Sequence, residues 1–110
     1  MAAEDPRTWL RLGQVVSSRG GRDRGRYYLV VGFTGNMVEV ADGVVRRVEN
    51  PKKKNPKHLQ PHNLVADEIG RKLRAGQVPA NAELRQWLRL LIATMGVAGS
   101  GGSVSQEADV

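Results

Sequence analysis

The stretch "GQVVSSRGGRDRGRYYLVVG", Gly13 to Gly32, decides how the rest of the chain is read. Val15 and Val16 sit near its start, Tyr27 to Val31 near its end, and between them lie Arg19, Arg22, Arg24 and Arg26 with Gly20, Gly21 and Gly25. β-Branched and aromatic residues bounded by glycine have the composition of strands. The spacing predicts one strand over Gly13–Ser18, a second over Arg26–Phe33, and a strongly cationic loop between them.

Further along, Met37–Val40 and Val44–Val48 are two more strand candidates, separated from their neighbours by Gly35-Asn36 and Asp42-Gly43. Both dipeptides tolerate the positive φ of a two-residue hairpin turn. A two-residue turn at Gly35-Asn36 pairs Phe33 with Val38 and Val31 with Val40, which puts four apolar side chains on one face. The same turn at Asp42-Gly43 pairs Val40 with Val45 but Val38 with Arg47, a mismatch that either a one-residue bulge or a longer turn would repair.

Prolines 51, 56 and 61 punctuate "ENPKKKNPKHLQPHN", which reads as an extended basic strip with at most a short strand near His58–Leu59. Helical character begins near Val65, with acids in the first turn, Ile69 and Leu73 on one face and Gly76 as the stop. A second helix is expected from an Asn81 N-cap. Leu84, Trp87, Leu88, Leu91, Ile92 and Met95 recur on one side of it, a stripe that is core or partner-facing. The segment from 96 to 110 has the glycine-serine composition of a disordered tail, and residues 1–9 read as a flexible lead-in.

A chain of 110 residues is one small domain, divided here into a mainly β portion over 10–64 and a helical appendage over 65–95. It has no cysteine, which excludes disulfides and thiolate metal sites. "MAAEDPRTWLRLG" lacks the pattern of a signal peptide, and no apolar run approaches the ~20 residues that cross a bilayer. A cytoplasmic protein without membrane attachment is the expectation. The net charge of +6 is segregated: Arg7 to Lys57 carries twelve basic residues against four acidic ones, whereas His58 to Val110 carries five of each. General solubility accounts for a net charge but not for its segregation, which points to a polyanionic partner.

The glycine-rich loop lacks the GK[ST] ending and the βαβ context of a nucleotide cradle. It suits RNA instead. Glycines allow close backbone approach, and arginines present planar forks to phosphates and faces to bases. Lys52, Lys53, Lys54 and Lys57, with Arg46, Arg47 and His58 beside them, form a second patch that adds affinity more than sequence preference. His58 and His62 have the spacing of a helical zinc pair, but Pro61 between them breaks a helix and no third ligand is evident, so no metal is expected. Tyr27 and Tyr28 point to opposite sides of their strand, one into the core and the other available to stack on a base or to pack. No nucleophile–base pair or carboxylate pair is recognisable, so neither an enzyme nor a cofactor is expected.

The Gly13–Gly32 stretch resembles a KOW motif: an apolar strand, a basic glycine-containing loop and a second apolar strand. Gly25 matches the motif's glycine, and Val15, Val16, Val30 and Val31 match its flanking apolar positions. "VRRVENPKKKNPKHLQP" is similar to the KOW-bearing large-subunit ribosomal proteins of archaeal and eukaryotic type, and Leu10 to about Met95 resembles small bacterial KOW-domain RNA-binding proteins related to them. The resemblance implies a small SH3-like β-barrel whose first loop contacts RNA, with ribosomal RNA the expected target and ribosomal proteins as further neighbours. The two helices are not required by a bare KOW barrel. The competing reading is a protein-interaction module in transcription or translation that docks through the Leu84–Met95 stripe.

Overall fold

The computed structural model of the protein describes residues 5–99; the tail expected over 96–110 lies outside the described residues from 100 onward, as do residues 1–4 of the lead-in. Five strands, β1 (Gln14–Ser18), β2 (Tyr27–Thr34), β3 (Met37–Ala41), β4 (Lys52–Lys54) and β5 (Leu59–Val65), form one antiparallel sheet in the order β4-β3-β2-β1-β5. Two helices follow, α1 (Asp67–Arg74) and α2 (Asn81–Gly99). α2 therefore includes the first four residues of the segment expected to be tail. Within the expected lead-in, Asp5 caps a 3-10 turn over Pro6–Thr8, and Pro6 is buried.

The apolar runs of β1 and β2 are explained by burial on both faces. On one face Val16, Tyr28, Val30, Val38 and Val40 pack with Leu10 and Leu59. On the other, Val15, Leu29 and Ala41 pack beneath Ile69 of α1 and Leu84 and Leu88 of α2. Trp87, Leu91, Ile92 and Met95, partly buried, extend the α2 stripe against this second cluster, so the stripe packs on the sheet side of the helix. α1 approaches closely because Gly70 has no side chain: a Cβ there would stand 2.5 Å from the Leu12 carbonyl oxygen.

The turn at Gly35-Asn36 forms as expected and Phe33 pairs with Val38, but Val40 pairs with Val30 rather than Val31. A bulge at Val31 accounts for the difference: the extra residue leaves the first cluster and packs toward the helices. Val44–Val48 is not a strand. Asp42 Oδ1 accepts the backbone N–H groups of Val44 and Arg46, each at 2.9 Å, which curls the chain into a loop. The partner of β3 is instead the lysine segment Lys52–Lys54.

β5 is also longer than the short strand expected near His58–Leu59. Pro61 is tolerated there because β5 lies at the sheet edge. Asn81 is the first residue of α2, not its cap. Ala80 precedes it, with the Glu83 carboxylate accepting the Ala80 N–H at 2.9 Å, while the Asn81 side chain accepts from Val48 N–H at 2.8 Å and anchors the loop. No ladder joins β4 to β5, so the sheet is open and not a closed barrel.

Candidate nucleic-acid interface

The β1–β2 loop, residues 19–26, is ordered from both its backbone and its interior. Ser18 N–H donates to Arg26 O at 2.9 Å and Gly25 N–H donates to Ser18 O at 2.8 Å. Gly25 has φ +87, a left-handed geometry that a side chain resists even though space around it is open. Arg19, Arg22, Arg24 and Arg26 are all exposed, as is Gly21, while Gly20 is half-buried. None of the four guanidinium groups makes an ion pair among the described residues.

The one acid of the loop is turned inward. Asp23 is only 6% exposed, and each of its oxygens accepts twice. Oδ1 takes the Ser18 hydroxyl at 2.8 Å and Lys54 Nζ at 3.2 Å; Oδ2 takes the Tyr28 hydroxyl at 2.9 Å and Lys52 Nζ at 3.1 Å. Burial alone would raise the carboxyl's pKa, but these hydrogen bonds outweigh it and hold Asp23 far below the usual carboxylate range. Tyr28 responds in the opposite sense: burial and the neighbouring carboxylate push its hydroxyl up to about 12.

This arrangement divides the lysine strip. Lys54 and Lys52 pair with Val38 and Val40 of β3, so their side chains share the inner face, whereas Lys53 opposes Glu39 on the other side. Lys54, 9% exposed, is committed to Asp23 and Ser18, and Lys52 is half-buried against Asp23. Lys53, Lys57 and His58 remain exposed. Lys57 and His58 lie in a 3-10 turn (Pro56–His58) capped by Asn55, and Arg19 N–H donates to His58 O at 2.8 Å, which brings that turn against the arginine loop.

Arg46 and Arg47 belong elsewhere. Arg46 is half-buried, with its backbone closing the Asp42 loop, and Arg47 Nε pairs with Glu49 at 2.8 Å. Arg47 and Asn81 together draw Glu49 down to about 2. The structure thus gathers Arg19, Arg22, Arg24, Arg26, Lys57 and His58, and directs Lys52 and Lys54 inward.

Tyr28 is the core tyrosine. Tyr27 is half-buried, its ring 5.5 Å from that of His62, and His62 Nε2 lies 2.9 Å from the Ser17 hydroxyl. Burial lowers the His62 pKa. The described residues contain no group of three or more metal-ligating side chains, and no helix among them is long and apolar enough to cross a membrane.

Composition alone gave Asp23 no role. Its signal was a single acid among four arginines, together with lysines two apart on a strand that can face it. No protein-family model matches the chain, and no curated protein matches it.

Proposed function

We propose that this protein binds structured RNA, with ribosomal RNA as the target, and acts as a ribosome component or ribosome-associated factor. The observation that carries the reading is the β1–β2 loop: four exposed guanidinium groups without acidic partners among the described residues, on an ordered backbone whose only carboxylate is buried. Exposed cations held without internal partners are available to phosphates, and arginine adds planar faces for unpaired bases.

We further propose that the sheet is an open form of the SH3-like barrel that a KOW motif implies. Supporting this, only residues 55–58 connect β4 to β5, the two edge strands of one sheet, and Lys52 and Lys54 of β4 reach Asp23 in the β1–β2 loop although β4 pairs with neither β1 nor β2. Four residues reach too short a distance to span a flat five-stranded sheet comfortably, so the sheet must coil.

Replacing Arg22 and Arg24 with alanine tests the interface. The double variant is expected to lose affinity for refolded ribosomal RNA while keeping its unfolding midpoint, because both side chains are exposed and neither makes an ion pair among the described residues. If about six phosphates are neutralised, log K falls against log salt with a slope of about −4 to −5. Unchanged affinity in the double variant removes the loop from the interface, and salt-insensitive binding removes the polyanion.

A further inference from the structure

Asp23 presents a paradox for a polyanion-binding loop. A carboxylate among arginines lowers the local positive potential, so charge count alone would favour its absence. Yet the fold commits four donors to it. Lys54 and Ser18 on its Oδ1 and Lys52 and Tyr28 on its Oδ2 come from three different strands. The Asp23 carbonyl also accepts Arg26 N–H at 2.9 Å, which closes the last turn of the loop.

The Ser18 hydroxyl has one proton and lies 2.9 Å from Gly20 O as well as 2.8 Å from the carboxylate. The charged acceptor is the stronger one. Every polar side-chain atom of the cluster makes at least one hydrogen bond within it, and such a connected buried network favours a single arrangement. Asp23 lies between Arg22 and Arg24 in the turn, and with its side chain anchored inward both neighbours are exposed.

Resting on the RNA reading above, we propose that Asp23 is a positioning residue that fixes the arginine loop as a rigid template, and that the ligand class this selects is RNA already folded into a fixed phosphate array rather than flexible single strands. A preorganised cationic loop loses little entropy when it meets a rigid array of matching spacing. A single strand can adapt to a loose loop as well as to a fixed one, and responds mainly to net charge.

Asp23→Asn separates the two effects because it raises net charge while removing the anchor. Affinity for ribosomal RNA refolded with magnesium is expected to fall about tenfold, while affinity for a short oligouridine strand stays level or rises. Amide exchange, followed by NMR without RNA, should quicken at Gly25 and Arg26 and stay unchanged in β3. Equal or tighter binding of the folded RNA by the variant overturns the proposal, as does unaltered exchange at those two amides.

Should Asp23→Asn fail to fold, Tyr28→Phe removes one donor without altering charge at neutral pH. It is expected to show the same exchange pattern and a smaller loss of affinity, and the same negative results overturn the proposal. A wild-type protein that binds neither RNA defeats the function proposed above and also the ligand class, whereas the exchange experiment judges the anchoring role by itself.

Discussion

The Asp23 carboxylate makes the protein's stability sensitive to acid in a definite direction. Its native pKa lies far below its unfolded value, so the native state binds the proton more weakly. The stabilisation is complete above the unfolded value near pH 4 and drains away as the pH falls below it. His62, whose pKa burial lowers, adds an earlier loss that begins near its unfolded value of about 6.5. Urea unfolding midpoints are therefore expected to decline slightly below pH 6.5 and steeply below pH 4, and Asp23→Asn should flatten the lower limb.

Asp23→Ala at neutral pH leaves the Lys54 ammonium buried without its partner, a change expected to cost about 3 kcal/mol in urea unfolding. Gly25→Ala must place a side chain at φ +87, and should cost about 1–2 kcal/mol by the same measurement. Residue identity made the arginines legible as exposed cations. It did not make the lysines legible, because the same side chain serves a phosphate or a buried carboxylate. Only the alternation imposed on β4 by its pairing with β3 separates Lys53 from Lys52 and Lys54.

Among the elements, α2 carries the clearest expectation. Leu84 is fully buried at the centre of the second cluster, and Leu84→Ala is expected to cost about 2–5 kcal/mol while leaving RNA affinity unchanged wherever the variant remains folded. A module that docked partners through this stripe would show the opposite pattern, with normal stability and lost capture. Gly70→Ala presses a methyl group toward the Leu12 carbonyl, and a loss of about 1–3 kcal/mol in thermal or urea unfolding is expected.

Helices and the first three strands were legible because hydrophobic period and turn residues agree there. Val44–Val48 misled because a β-branched run has strand propensity wherever it lies. The Asp42 side chain overrode that propensity by capturing two backbone N–H groups. Pro61 misled in the other direction, since its cost within a sheet disappears at an edge whose position depends on the topology.

For the whole molecule, segregated charge was visible in the sequence, but its sidedness was not. Asp23 and the lysines that neutralise it lie 29 and 31 residues apart, and only the tertiary fold brings them together. Burial on both faces of β1, β2 and β3 has a consequence for synthesis. The half of the core formed by Val15, Leu29 and Ala41 has only Ala66 and Ile69 over it until Leu84 and Leu88 leave the ribosomal exit tunnel. A nascent chain arrested before that point presents an oily sheet surface to chaperones and to other nascent chains. Stalling between the sheet and α2 is thus the moment of greatest exposure to aggregation, and slowing translation there should lower soluble yield more than slowing it anywhere earlier.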